Sequence, residues 1–591
     1  MAGNPLQPII LRAPGIGGLN FEGEGLNADP SFAQVAENLV FDQAGRLCSR
    51  KGFDQTTTGS EELPGTPSME QLHMMDTSSG NKLIATAAVA SIGLDLTGTV
   101  TVVAGETVTQ TTSGATGAVM RTTVLTDDEM VVVSVTGTFD TSNVLTGSTS
   151  GALGASSVPT AVNTLTNNIY ESAPSFDEYT DVTGGLTPSA NNWQFVNFND
   201  KLIGAQLGEV MIYKAYAGNA AFIPVTGSTA VPDGNCVHSA FGRLWAQKGD
   251  TTSGKYTIAY SSLLDETEWE TSSIANDINV LGNAGAVANG YDELVAISSF
   301  DNFLVAFLRN SIVIYSSPEA PGTLAIERVI QGIGCIARDS VQQTGDDIVW
   351  LSATGLRSLK HTVQSENNLE LGDLSSNIRR ELVNKANQVA AGEIRSAYFP
   401  EDAVYMLKTA DVVWAMDLHN RSLIGAEPPR FTNFPSNTWD SMYYHEGSLY
   451  LAQLGVLGAY QNYSDNGSTY NMVWKSVWTD FGSSKLKSMK KMNAVVIAKS
   501  DQNVTFSWET DYGLSAGSQT ATTSGAGVVA EWALAEFGED EWSGGTDLSR
   551  LSVQANRTGE VLSFGFNITV DAANVCIEQL GIYTTIGREA R

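Results

Sequence analysis

The sequence is poor in charge, and poorest in bases. Only 16% of its 591 residues are charged, with 33 Lys and Arg against 64 Asp and Glu, for a formal net charge of −31. Tight binding to a nucleic-acid backbone needs clustered cations, so that class is disfavoured, as is docking on an anionic membrane. Five histidines are scattered at 73, 238, 361, 419 and 445, and the four cysteines (48, 236, 335, 576) form no CxxC. There is no HExxH, no GxxxxGK[ST] and no EF-hand loop, and no nucleophile elbow is expected. The cysteines read as isolated buried thiols, suited to synthesis in a reducing cytoplasm. No stretch approaches the roughly 18 apolar residues of a membrane helix, so no membrane insertion is expected. The opening MAGNPLQPIILRAPGIGG has no basic region and breaks its apolar run with Pro, unlike a secretory signal.

What is present is β pattern. Hydrophobic residues make up 42% of the chain, which rules out wholesale disorder, and 57 glycines punctuate it. Thr, Val, Ser and aromatics alternate in short runs between Gly, Asn and Asp. Helical spacing is credible over Leu374–Val389, with Ser375 or Ser376 as cap, and over Phe32–Leu39. A recurring unit stands out: an apolar approach, a tight polar turn, then an apolar strand. Its turns lie near Asn81, Asp200, Gly242, Asp301, Asp346, Asp402 and Glu446. From Asp200 onward the spacings are 42, 59, 45, 56 and 44 residues, whereas Asn81 and Asp200 are 119 apart. Setting aside the 74 Thr/Val/Gly-rich residues 92–165 brings that gap to 45. A period of about 40–50 residues with several strands per unit is that of a β-propeller, whose small sheets bury both faces only against their neighbours.

The expected architecture is therefore all-β: a six- or seven-bladed β-propeller over 66–91 plus 166–465, an inserted small β-barrel or sandwich over 92–165, and a C-terminal β-sandwich over 466–591. Residues 1–65 read as an extended N-terminal arm and first strand. Within the insert, TSGATGA (112–118) and TSGALGA (149–155) repeat 37 residues apart. The clearest basic run is TDFGSSKLKSMKKM, and the chain ends on Arg588 and Arg591.

Chemistry-bearing constellations are few. The acidic runs Asp127–Asp128–Glu129, Asp346–Asp347 and Glu539–Asp540–Glu541 read as solvated turns, because sequence neighbours on a strand point apart and cannot form a catalytic pair. DNGSTY at 465–470 approaches the Asp-box turn of sialidase propellers, but it occurs once, and Tyr463 stands where that box prefers Ser or Thr. It reads as a hairpin cap. No enzymatic role, catalytic residue, cofactor or metal is expected.

Residues 14–53, PGIGGLNFEGEGLNADPSFAQVAENLVFDQAGRLCSRKGF, resemble the opening of the tail nozzle (tail tubular) proteins of short-tailed bacteriophages. Gly17, Gly18 and Leu19 match its Gly-Gly-hydrophobic turn. Glu37, Asn38 and Leu39 match its Asn-Leu strand, and Gly45, Arg46, Leu47, Arg50 and Lys51 its Gly-x-Leu turn and basic tail. YSSLLDETEWE (260–270), with the INVLGNAG stretch after it, and the exit VWKSVWTDFGSSKLKSMKKMNAV are similar to later parts of that family. Where family members often have basic-basic-Pro, this chain has Ser49–Arg50–Lys51–Gly52.

The resemblance implies a virion protein made in the host cytoplasm: a homohexameric ring at the end of the tail, in contact with adaptor and fibre proteins and near the host cell surface. DNA would pass through without sequence-specific binding. Six copies at −31 each carry −186, and an acidic lumen would repel the duplex. Gly17, Gly18, Leu19, Asn38, Leu39, Arg46, Arg50 and Lys51 are the expected subunit or adaptor interface. The alternative from a different class is a carbohydrate- or receptor-binding propeller, using the 92–165 insert as its contact surface. A propeller glycosidase is a weaker third.

Overall fold

A computed structural model describes the chain from Gln7 to Glu589, apart from 13–16, 23–28, 56–62, 217–220, 250–253, 270–276, 280–291, 365–372, 420–428, 524–546 and gaps of one to three residues elsewhere. The protein is all-β and contains a β-propeller. Among the described residues, seven sheet units follow one another. Their first strands are Met69–Thr77, Gln194–Phe198, Val237–Ala240, Leu294–Phe300, Gln342–Gln343, Arg395–Phe399 and Ser441–His445. The seven turn cues of the sequence all fall at the hairpin joining first and second strands of these units. Asn199 and Asp200 (φ 46° and 58°), Phe241 and Gly242 (56° and 68°) and Glu446 and Gly447 (43° and 86°) sit in the left-handed region that two-residue hairpins demand.

Separate hydrophobic clusters fill the spaces between successive units. Trp193 and Phe222 lie between the first and second, Leu244 and Trp269 between the second and third, and Trp245 and Leu304 between the third and fourth. Phe307 and Trp350 lie between the fourth and fifth, Leu351 and Tyr405 between the fifth and sixth, and Met406 and Leu451 between the sixth and seventh. The ring closes where Leu72 and Leu457 meet between the seventh and first. Middle strands such as Ile348–Ser352 and Val412–Asp417 are buried at every residue, because a unit has neighbours on both faces.

The N-terminal segment, read from sequence as an extended arm and first strand, pairs with strands of its own chain. Gln7–Arg12 and Leu47–Ser49 both pair with the C-terminal strand Val575–Glu589, and Phe32–Glu37 pairs with Tyr470–Ser476. Phe32–Leu39 is thus not a helix: its first six residues are a strand, with Ala33 and Ala36 fully buried. Gly52–Gln55 becomes the outer strand of the seventh unit and closes the ring within one chain. Removing 1–53 would strip Leu19, Leu39, Phe41 and Leu47 from the core, so the truncated chain is expected to be insoluble rather than a folded monomer.

The C-terminal sandwich alternates as the sequence did. Tyr470–Ser476 and Asn503–Thr510 bury every second residue, facing the sheet built on Lys485–Ala498 and Val575–Glu589. Glu37 pairs in parallel with Asn433, so one sheet runs from the sixth unit into the sandwich. Cys48 and Cys576, opposite each other in register, form a disulfide, which corrects the expectation of four free thiols; only Cys236 and Cys335 are free and buried.

The insert is a closed barrel. Strands pair in the cycle Gly80–Leu96, Glu129–Thr136, Thr116–Val119, Thr107–Gln110, Val144–Gly147, Gly151–Ser172 and back to Gly80–Leu96. Leu94, Val108, Met130, Leu145 and Leu153 fill it. Its long strands Gly80–Leu96 and Gly151–Ser172 also serve the first propeller unit, so the expected boundaries at 92 and 165 fall inside continuous strands. The repeat has a structural meaning: Thr107–Gln110 and Val144–Gly147 share one exposed–buried alternation and lead into equivalent TSG turns. The helix expected over 374–389 spans Arg379–Ala386. Ser375 does not cap it, because its hydroxyl donates to Asp373 and accepts from the Leu356 N–H.

Candidate functional site

Two features lie where the inner strands converge. The first is a buried polar plug. Arg338 and Asp339 occupy a single turn of 3-10 helix before the fifth unit. Arg338 donates to the Asn235 carbonyl (2.6 Å), to the Asn192 side chain (2.8 Å) and to the Trp193 carbonyl (3.2 Å), while its Nε reaches Asp339 at 2.9 Å. Asp339 also accepts from Arg395 (3.1 Å) and Gln71 (2.8 Å), and Arg395 donates to the Glu70 carbonyl at 2.6 Å. The first, second, third, fifth and sixth units thus meet within hydrogen-bond distance, which in a ring of seven is possible only near its axis. Burial pushes the Asp339 carboxyl up, but Arg338 and Arg395 outweigh it and hold it below the usual carboxylate range. The plug ties distant units together.

Beyond the plug lies a cavity of about 520 Å³, bounded by the first strands of the fifth, sixth and seventh units. Its walls carry Gln342, Gln343, Ser396, Tyr398, Tyr443 and Tyr444. Gln342 Nε2 donates to the Ser396 carbonyl (3.0 Å) and Gln343 Nε2 to the Ser299 carbonyl (2.5 Å). Tyr443 packs on His73, with ring centroids 4.9 Å apart. Burial pulls His73 down to about 3, so that ring is neutral, and its Nε2 has no partner among the described residues.

The residues expected at a subunit interface are engaged within the chain. Gly18 (φ 73°) lets the chain pass the Phe431 backbone, since a Cβ there would lie 2.7 Å from the Phe431 nitrogen. Gly17 packs against the Phe32 ring, and Leu19 and Leu39 are fully buried. Asn38 (φ 57°) donates to the Asn471 carbonyl, and Arg46 pairs with Asp42 at 2.6 Å. Lys51 pairs with Asp402 at 3.0 Å.

Arg50 is the centre of a clasp. It grips both oxygens of Asp465 (2.9 and 2.6 Å), donates from Nε to Asn38 (2.8 Å) and lies over the Tyr470 ring at 4.1 Å. Asp465 also accepts from the Phe53 N–H (3.0 Å) on the closing strand. The DNGSTY motif is therefore a hairpin, bridged between Asp465 and Ser468, whose acid is committed to structure.

Among the described residues, no group of three His, Cys, Asp or Glu is placed to hold a metal. Asp347 is buried, not in a solvated turn as expected; it accepts from the Ile348 and Lys360 N–H groups and from the Ser358 hydroxyl. Asp127, Asp128, Asp346 and Glu539–Asp540–Glu541 lie outside the described residues, as do most of the INVLGNAG stretch and the Arg588 side chain. One pentapeptide, residues 513–517 (GLSAG), matches G-x-S-x-G, against the expectation of no nucleophile elbow. Ser515 there opens an exposed edge strand, not the strand-to-helix elbow that such chemistry needs. A smaller cavity of about 250 Å³ between propeller and sandwich holds Asp402 and His419, but Lys51 neutralises the first and Asp417 binds the second at 2.8 Å.

The plug is nearly silent in the sequence. Its only trace is charge inside apolar surroundings: Arg338–Asp339 directly after GCIA, and Arg395 directly before SAYF.

No protein-family model and no curated protein matches this chain. Among solved structures, it is similar to the computationally designed Ika8 protein (10% identity, 68% of this chain and 99% of that one, TM-score 0.32). It is also similar to the Myceliophteria thermophila Cps50 (Swd1) β-propeller domain (10%, 49% and 88%, 0.30) and to the Neurospora crassa Pan2 WD40 domain (8%, 70% and 96%, 0.27). Likeness at this level carries no function, and the fold stands on the sheet topology above.

Proposed function

We propose that this chain is a non-catalytic structural protein of a short-tailed phage tail, which assembles with copies of itself into a ring at the DNA exit. The observation that carries the reading is where the resemblance falls. Gly18, Leu19, Asn38, Leu39 and Arg50 are the residues that weave the N-terminus through the sandwich and lock the propeller. The shared pattern therefore lies at positions that set this architecture. The plug adds a constraint: it places buried ion pairs between five units of the single propeller, so on this reading a DNA channel lies between subunits and not through one. Adaptor and fibre proteins are the proposed neighbours, and the virion the proposed location.

The test is mass photometry of the purified chain at micromolar concentration, followed by negative-stain class averages. Rings of one fixed copy number, six by the resemblance, support the reading. A protein that stays monomeric across concentration and salt overturns it.

A further inference from the structure

We propose that the outer face of the sandwich sheet built on Lys485–Ala498 docks on a second copy of this chain, against the hairpin rim of that copy's second to fourth propeller units. This contact rests on the ring reading above and names the two surfaces that would meet in it.

The first surface carries the clearest basic run of the chain. Lys485–Ala498 turns Met489, Met492, Ala494 and Val496 into the core, which leaves Val495 and Ile497 on the outer face. In register beside them stand Arg550 and Leu548, the latter 52% exposed, and the edge strand Gln7–Arg12 adds Ile10 at 47%. Lys490 and Arg550 are exposed and Lys491 is half-buried; none of the three makes an ion pair among the described residues. The acid among the described side chains of these strands is Glu578. The result is an apolar strip edged by net positive charge, on a chain whose overall charge is −31.

The second surface is its complement. Leu263 and Leu264 are neighbours, 60% and 56% exposed. Leu264 holds φ at 55°, which non-glycine residues seldom adopt. It is fixed there by its N–H, which donates to the Gly242 carbonyl (2.9 Å), and by the Asn199 side chain, which donates to the Leu264 carbonyl (2.9 Å). Both leucines therefore stand at the hairpins of the second and third units. Asp200 and Asp301, exposed on the hairpins of the second and fourth, make no ion pair among the described residues. The cations of this rim are engaged: Lys201 pairs with Glu266, and Arg243 is buried on the Ser261 carbonyl. Apolar centres with opposite charge around them are the anatomy of a specific protein interface. Exposed leucine, isoleucine and valine have no use against a phosphate backbone, which favours a protein partner over DNA.

The fold makes that partner another copy. Pairing of Glu37 with Asn433 fixes the sandwich to the sixth unit, and in a ring of seven the boundary between the second and third units lies opposite the sixth. One chain cannot bring its own two surfaces together. Two unlike surfaces on opposite sides of a molecule give a head-to-tail contact, which closes into a ring when the rotation per copy permits.

The experiment is mass photometry and sedimentation velocity on the full chain and four variants. Lys490→Glu with Lys491→Glu and Arg550→Glu reverses one surface, and Asp200→Lys with Asp301→Lys reverses the other. A combined variant carries all five changes. Leu263→Ala with Leu264→Ala removes no charge and opens no core, so it keeps the test valid should a charge reversal misfold. Each single-surface variant and the leucine variant should raise the concentration needed for half-assembly about tenfold or more, and the combined variant should restore it. Assembly unchanged in the single-surface and leucine variants overturns this contact and leaves the ring reading standing, because the wild type still assembles. A monomeric wild type overturns both. A basic-face variant that assembles normally but no longer retains a duplex DNA fragment bound by the wild type also overturns it, and gives that face to nucleic acid.

Discussion

Replacing Asp465 by alanine is expected to destabilise the protein more than its surface position implies. The carboxylate is about one-third exposed (32%), but its partner is not: the Arg50 side chain is 6% exposed. Loss of Asp465 strands a guanidinium that keeps Asn38, the Lys51 carbonyl and the Tyr470, Phe434 and Trp439 rings, none of which carries a compensating charge. Removing one partner of a buried ion pair costs about 3–5 kcal/mol, because the remaining charge stays desolvated. The Phe53 N–H also loses its acceptor, worth about 1 kcal/mol more. Arg50→Ala takes away the buried charge itself and leaves an acid that water reaches, so its electrostatic part should be smaller, near 2–3 kcal/mol. Arg50→Lys should behave like Arg50→Ala, since an ammonium cannot make the two-pronged grip. The assay is equilibrium denaturation of the wild type, both single alanine variants and the double variant. A coupling energy of about 2–4 kcal/mol is expected. Additive effects, with coupling under about 0.5 kcal/mol, would refute the idea that this pair is what holds the closing strand.

Asp339→Asn should be among the most destabilising polar substitutions, by about 3–5 kcal/mol, because it leaves Arg338 and Arg395 buried without their shared counter-charge; thermal unfolding measures it. In the barrel, burial raises the Glu106 carboxyl, but N–H donors from Val103, Thr149 and Ser150 and the Ser150 hydroxyl outweigh it and depress its titration. A depressed acid stabilises at pH above its unfolded value, near 4.5, and loses that contribution as pH falls through the lower folded value. Barrel amides should therefore exchange faster as the solution is acidified below about 4.5, and Glu106→Gln should abolish that dependence. Thiol titration should find none reactive in the native state, since burial pushes Cys236 and Cys335 up to about 12, and two after unfolding without reductant. Opening the Cys48–Cys576 link, which spans 528 residues, should lower the unfolding free energy by at most about 6 kcal/mol on a chain-entropy basis, read as an earlier denaturation midpoint.

The repeat was legible because hairpin chemistry is local: Asn199–Asp200, Phe241–Gly242 and Glu446–Gly447 advertise their turns within two residues. The barrel's TSG repeat was legible for the same reason, and the alternation of Tyr470–Ser476 because one face of a sandwich is wet. Phe32–Glu37 misled because its apolar spacing fits a helix as well as a strand, and the strand Tyr470–Ser476, more than 430 residues away, decides between them.

By itself, then, the sequence determined the all-β class, the period of the ring and the extra texture of the insert. All of these are properties of neighbouring residues and of overall composition. The tertiary structure alone decided that the N-terminus is woven into the C-terminal sandwich, that Cys48 meets Cys576, and that Arg338, Asp339 and Arg395 form one buried cluster. Those contacts join residues tens to hundreds of positions apart, and a buried charge betrays its partner only when the fold brings both out of water together.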